Sequence, residues 1–281
     1  MKVCGVVVFY NPTAEVNDKI KSYIDKVEKL FIVDNSSSDN SNLLLKNNKI
    51  EYIPNCENLG IARALNIAAE KAYKEKYDWI LTMDQDSCFE GENLDKLIDY
   101  TEKCVSKKIG LVSPWHLTKE FKDRPSLDVE ECLEVMTSGN LVNLKAWNKV
   151  CGWKEWLFID NVDIEFCMNL NVSGYKVIRL NYVELEHNLG SIVVKKVFGK
   201  KFSCTNHNYI RQYYMVRNLY YLKDMYCKYY PDYIDFMLRG MHGRARNIIV
   251  WEKDKYRKIR NMIRGYRDYR HNIKGAYNYK D

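Results

Sequence analysis

The sequence predicts an α/β protein with a mainly parallel central sheet flanked by helices, followed by a C-terminal helical appendage that is basic and aromatic. Three observations predict it. Through residue 114, short apolar runs alternate with helical patterns, the signature of βαβ units covered on both faces. Four of the apolar runs end in polar residues: Tyr10-Asn11, Asp34-Asn35, Pro54-Asn55 and Asp84-Gln85-Asp86. From residue 195 onward the charge inverts, with 21 Lys/Arg against 7 Asp/Glu, and 14 of the 22 tyrosines fall there.

Each element has its own signal. VCGVVVFYN opens the chain as a buried strand that stops at Pro12. Residues 13–29 carry a helical pattern opened by Thr13 and Glu15. LFIVD (30–34) is a strand running into a polar loop, and KIEYIPN (49–55) is a third strand. NLGIARALNIAAEKAYKE (58–75) places Ile61, Leu65, Ala68, Ala69 and Ala72 on one helical face. DWILTMD (78–84) is the fourth strand, followed by a helix near 91–105 and a strand at 109–114. Farther on, ECLEVMTSGNLVN (131–143) reads as a strand broken by Ser138-Gly139-Asn140. A helix is expected from about 162 and a strand from 175. From about residue 206 the pattern turns helical. The expected division is 1–205, with halves near 1–114 and 115–205, and 206–281.

The totals narrow the function. With 281 residues, 46% hydrophobic and 29% charged, the chain has the profile of a folded globular protein. No apolar run approaches a membrane span of about 18 residues, and the first strand lacks the flanks of a signal peptide. A cytoplasmic location is therefore expected, with any membrane contact peripheral. The nine cysteines show no CxxC spacing and read as reduced thiols rather than a zinc site. The acidic first part, net −7 over residues 1–194, argues against nucleic-acid binding.

Open α/β sheets bind ligands outside the carboxyl ends of their strands, so the polar strand ends are the candidate site. Asp84 and Asp86 at the end of the fourth strand suit a shared hard divalent cation; the competing reading is a solvated turn. Such a close acidic pair also calls for a positive group nearby. Asp34 could accept hydrogen bonds from a nucleoside, or belong to an ordinary Asn/Ser-rich loop. Gly60 sits at a helix start where free N–H groups attract anions, and Arg63 in that first turn would answer a bound anion or face solvent. In FIDNVDIEF, Asp160 and Asp163 are either caps or a general base. His187 gains interest only as a third metal ligand.

The ordered set of a strand ending in Tyr-Asn, VDNSS, NLGIARALN, DQDS, TSGN, FIDNVDIEF, GYKV and EHNLG resembles the family 2 glycosyltransferases, which have the GT-A fold, and most closely their bacterial rhamnosyltransferase branch. The likeness covers roughly residues 3–220. It implies metal-dependent transfer, with inversion, of a sugar from a nucleotide diphosphate donor to an acceptor hydroxyl. dTDP-L-rhamnose is the expected donor, and a saccharide or lipid-linked saccharide the expected acceptor, in bacterial surface polysaccharide synthesis. By the same resemblance, Tyr10, Asn11, Asp34, Asn35, Gly60, Arg63 and Gln85 would line the nucleotide pocket. Asp84 and Asp86 would meet Mg²⁺ or Mn²⁺ and the diphosphate, with His187 joining the metal. Ser138, Gly139 and Asn140 would lie near the donor sugar. Asp160 would be the base, with Asp163 as the substitute, because Asn161 stands where many relatives carry a second acid. The alternatives are a UDP-hexose or UDP-galactofuranose donor, or a non-catalytic nucleotide-sugar or polysaccharide-binding scaffold. The basic, aromatic tail suits either membrane-surface docking or a packed helical appendage.

Overall fold

A computed structural model of the chain describes residues 1–104, 108–117, 125–186, 193–197, 200–204 and 206–279. The chain divides into two compact units, residues 1–155 with 163–188, and residues 156–162 with 189–281.

The first unit is built on one mixed sheet with strand order β3-β2-β1-β4-β8-β6-β9-β5, and β7 pairing with β9. Its strands are β1 (Val3–Phe9), β2 (Leu30–Asp34), β3 (Ile50–Pro54), β4 (Trp79–Asp84), β5 (Cys88–Phe89), β6 (Ile109–Leu117), β7 (Val129–Glu131), β8 (Asn140–Asn143) and β9 (Lys176–Glu186). β3, β2, β1 and β4 run parallel. Every residue of β1 and β2 is buried, which is why these strands read as unbroken apolar runs. Beyond β4 the sheet changes character, because β8 runs antiparallel to both β4 and β6, while β6 and β9 are parallel.

Helix α1 (Val16–Lys21) is shorter than the pattern over 13–29 suggests. The Ser22 hydroxyl donates to the Lys19 carbonyl at 2.7 Å, and Tyr23 leaves helical φ/ψ to bury its ring at 1% exposure. Glu15 sits at the N-cap without a side-chain capping bond. α2 (Ile61–Lys74) buries Ala62, Ala64, Leu65, Ala68, Ala69 and Ala72, a strip of mostly methyl-sized groups that lets helix and sheet approach closely. α3 (Asn93–Lys103), α4 (Leu144–Lys149) and α5 (Val162–Val172) complete the helices of this region.

In the second unit, β10 (Val193–Val197) and β11 (Lys200–Cys204) form an antiparallel hairpin that the sequence reading did not anticipate. Helices α6 (Tyr209–Tyr226), α7 (Pro231–Trp251) and α8 (Lys255–Arg270) follow, with Val216, Ile248 and Met262 at their apolar centre. Arg217 on α6 is fully buried and donates to the carbonyls of Trp156, Leu157 and Gly275.

Candidate functional site

From β1 the chain crosses to β2 and β3 on one side and to β4 on the other, so the sheet has its topological switch point between β1 and β4. Ligands of open α/β sheets bind beyond the carboxyl ends of the strands at such a point. The residues there are Phe9-Tyr10-Asn11 and Asp84-Gln85-Asp86.

Hydrogen bonds tie these strand ends together. Gln85 Oε1 accepts from the Tyr10 N–H at 2.9 Å, and its Nε2 donates to the Tyr10 carbonyl at 3.3 Å. The Gln85 side chain therefore locks the β4 end to the β1 end, leaving the Tyr10 ring 53% exposed. Asn11 adopts φ +49°, and its N–H donates to Ser36 Oγ at 2.8 Å. Asn35 is buried; it donates to the Gly60 carbonyl at 3.1 Å and accepts from Asn55 at 2.8 Å.

The Asp34 carboxylate is 1% exposed and accepts from the Ser36 N–H, Asn40 Nδ2 and the Tyr52 hydroxyl, each at 2.8 Å. Burial alone would raise its pKa, but hydrogen bonds led by Ser36 and Asn40 outweigh burial and hold the carboxyl below its ordinary range. A depressed folded pKa contributes stability that is complete above the unfolded value, about 3.9, and is lost as pH falls through the folded value. Replacing Tyr52 with phenylalanine removes one of these donors. The expected cost is about 1 kcal/mol at pH 7, narrowing below about pH 4, as read by urea unfolding at the two pH values.

Asp84 and Asp86 do not continue an extended run, as i and i+2 on one strand face would. β4 ends at Asp84, and Gln85-Asp86 form a turn closed by the Ser87 N–H donating to the Asp84 carbonyl at 3.2 Å. Asp84 is half-buried and Asp86 exposed. Lys19 brings a cation to Cys88, two residues beyond Asp86, its ammonium 3.3 Å from Cys88 Sγ. Its pKa is raised first by that thiol, and further by the charges of Glu186 and Asp86.

The loop before β8 is fixed onto this turn. Ser138 is buried and its Oγ accepts the Asp84 N–H at 3.0 Å. The Ser138 carbonyl accepts from His116 Nε2 at 2.6 Å, so that ring nitrogen carries the proton. The Gly139 N–H donates to the Thr82 carbonyl at 2.6 Å. Gly139 has φ +79°, and a Cβ there would stand 2.8 Å from Leu185 Cδ2 and 2.9 Å from Pro114 Cγ. Gly139→Ala combines left-handed strain with overpacking, so a loss of about 2–4 kcal/mol is expected in thermal unfolding. Buried Asn140 donates to the Met136 carbonyl at 2.7 Å. Asp163, in the first turn of α5, lines a cavity of about 10 Å³ together with Thr82, Thr137, Asn140 and Trp153.

Two expected anion contacts are otherwise engaged. The Gly60 N–H donates to Asn58 Oδ1 at 3.0 Å. Arg63 pairs with Glu155 at 2.9 Å and Glu70 at 3.3 Å, so an anion there would have to displace carboxylates. His187 lies outside the described residues. Among the described residues, no three His, Cys, Asp or Glu side chains converge on one point. Asp84 and Asp86 still fit a hard cation, since Mg²⁺ and Mn²⁺ accept one or two protein carboxylates and complete their shell with water and phosphate oxygens.

In the second unit, Asp160 adopts φ +63° and its side chain is 6% exposed. Arg211 on α6 grips both carboxylate oxygens: Nε donates to Oδ2 at 3.2 Å and a terminal nitrogen to Oδ1. Sequence reasoning missed Arg211, and also Ser36, Asn40 and Tyr52 around Asp34.

Residues 5–112, which hold the strand-end network from β1 to β6, match the glycosyl transferase family 2. Over these residues the chain is similar to the family 2 glycosyltransferases. The chain is 27% identical over 250 residues to the dTDP-rhamnosyl transferase RfbF of Shigella flexneri, covering 78% of this chain and 79% of RfbF. Its fold is shared with TarS of S. aureus in complex with UDP-GlcNAc, at TM-score 0.63 and 13% identity over 97% of this chain and 82% of the other. GalNAc-T7 with UDP, GalNAc and Mn²⁺ aligns at TM-score 0.61 and 13% identity over 97% of this chain; the chain spans 57% of that one. These likenesses show the GT-A fold.

Proposed function

We propose that the chain transfers L-rhamnose from dTDP-L-rhamnose, with inversion, to a hydroxyl of a saccharide or lipid-linked saccharide during bacterial surface polysaccharide synthesis. The observation that carries this reading is the acidic turn Asp84–Asp86 at the switch point, bonded through its backbone to Ser138 and through Gln85 to Tyr10. The exposed Tyr10 ring would stack on the base of the nucleotide. Asp34, held at the end of β2 by Ser36, Asn40 and Tyr52, would meet the nucleoside. Asp84 and Asp86, joined by His187, would hold Mg²⁺ or Mn²⁺. Such an ion would act as a Lewis acid on the diphosphate, countering the charge that develops on the leaving group. Ser138, Gly139 and Asn140 would flank the donor sugar. Asp160 would take the proton from the acceptor hydroxyl; Asp163, beside the TSGN segment, is the alternative base. A panel of nucleotide sugars with Mn²⁺ tests the donor. Release of dTDP from dTDP-rhamnose, exceeding UDP release from UDP-hexoses and UDP-galactofuranose, is expected. Preference for a UDP sugar would overturn the donor assignment, and no turnover of any donor would favour the binding scaffold.

We further propose that the second unit docks on the anionic inner face of the cytoplasmic membrane. Among the described residues no helix is long and apolar enough to cross a membrane. α8 instead exposes Tyr256, Ile263 and Tyr266 beside Arg267 and Arg270, while α7 exposes Phe236, Ile249 and Val250. Between α6, α7 and α8 lies an apolar groove of about 310 Å³, lined by residues including Tyr220, Met241, Met262 and Ile263. Each Lys/Arg near anionic lipid contributes about 1 kcal/mol, and the apolar side chains would enter the acyl boundary. Flotation with phosphatidylglycerol vesicles is expected, with little on phosphatidylcholine and a marked loss for the Ile249→Glu, Ile263→Glu double variant. Equal recovery on both vesicles, or no effect of the double substitution, would refute membrane docking.

A further inference from the structure

The segment 156–161 is conformationally costly. Phe158, Asp160 and Asn161 have φ of +67°, +63° and +62°, a region that residues with side chains enter only when their surroundings hold them there. Helix α6 does the holding. Arg211, Tyr214 and Asn218 are spaced i, i+3, i+7 and so share one helical face. Asn218 Nδ2 donates to the carbonyls of Leu157, Ile159 and Asp160 at 2.9, 2.8 and 2.9 Å. The Tyr214 ring stacks on Phe158 with centroids 5.2 Å apart and planes 9° from parallel. Arg211 closes the series on the Asp160 carboxylate itself.

From this geometry we infer that Arg211 is a positioning residue for the transfer reaction: its guanidinium fork fixes the plane of the Asp160 carboxylate so that one oxygen lone pair is aimed at the acceptor hydroxyl. The inference rests on the reading of Asp160 as the base. A planar fork suits this role because two parallel N–H groups set both the position and the rotation of a carboxylate, whereas an ammonium sets neither. Each carboxylate oxygen accepts one hydrogen bond from the fork and keeps a second lone pair for the substrate.

Arg211 is itself positioned. Asn208 Oδ1 accepts the Arg211 N–H at 2.9 Å, capping α6 one turn earlier. An Arg211 terminal nitrogen lies 3.4 Å from His207 Nδ1. Burial first, and then Arg211, Arg244 and Lys258, push His207 down to about 4, so at neutral pH the ring is uncharged and Nδ1 can accept.

The test is a kinetic double-mutant cycle on the full chain, with kcat and donor KM measured for Arg211→Ala, Arg211→Lys, Asp160→Asn and Arg211→Ala/Asp160→Asn, and folding checked by circular dichroism. Misplacing a reacting group by about 1 Å costs about 100-fold. A fall in kcat of about 10- to 100-fold is expected for both Arg211 variants, with donor KM unchanged. Added guanidinium ion is expected to restore part of the Arg211→Ala loss, and Arg211→Ala is expected to cost nothing further in the Asp160→Asn background. Arg211→Lys keeps a cation beside Asp160, so it reports on positioning even where Arg211→Ala fails to fold. Wild-type kcat in Arg211→Lys, or losses that multiply in the double variant, would overturn the inference while leaving Asp160 as the base. Wild-type kcat in Asp160→Asn would instead remove the base assignment, and this inference with it.

Discussion

Asp86→Ala is expected to reduce sugar transfer to the limit of detection while leaving the fold intact. Asp86 is exposed on the Gln85-Asp86 turn, so truncating it removes no packing and leaves no buried group without a partner. Its loss would leave Asp84 as the only carboxylate of the pair, against a diphosphate whose charge grows as the sugar departs. Electrostatic stabilisers aimed at developing charge supply the largest single contribution in many enzymes, and removing one donor costs about 10²–10³-fold. Losing one of the two carboxylates proposed to hold the cation should cost more. The measurement is radiolabelled transfer at saturating Mn²⁺, with thermal unfolding to confirm that Asp86→Ala remains folded.

Asp160→Asn is expected to lower kcat by about 10²–10⁴-fold, the range for loss of a positioned general base. The substitution is nearly isosteric, and the bonds from the Asn218 side chain to the carbonyls of Leu157, Ile159 and Asp160 do not depend on the carboxylate. Folding and donor binding should therefore survive. Donor affinity is read from protection against thermal unfolding by dTDP, and kcat from transfer at saturating acceptor. The same measurements on Asp163→Asn separate the two candidate bases, since Asp163 faces the small cavity beside Thr137 and Asn140 in the first unit.

The parallel half of the sheet was legible because β1, β2 and β4 are buried along nearly their whole length, which forces unbroken apolar runs that no turn residue interrupts. The strand ends were legible for the complementary reason: a buried strand has no cause of its own to end in DQD or YN. The other half of the sheet was harder to read. β8 has four residues and is sandwiched between β4 and β6, strands remote from it in sequence, so its pairing leaves no local period. The turn at Asp84–Ser87 is the second of the two readings that DQDS allows: an aspartate opens a β-turn as readily as it ends a strand beside a cation, so residue type alone does not choose between them. Arg211 escaped for a third reason. Its partner lies 51 residues upstream, and in YIRQYYMVRN it is one of two arginines among aromatics. Only the folded chain separates Arg217, fully buried on three carbonyls, and Arg211, on a carboxylate, from their solvated neighbours.

The proposed transfer requires a divalent cation at the acidic turn together with the donor diphosphate. Electron paramagnetic resonance of Mn²⁺ titrated into the protein with dTDP tests it most directly. Stoichiometric loss of the free-ion signal that requires both dTDP and the side chains of Asp84 and Asp86 is the expected result. A free-ion signal unchanged by the wild-type protein with dTDP, alongside transfer that persists in a chelator, would contradict it.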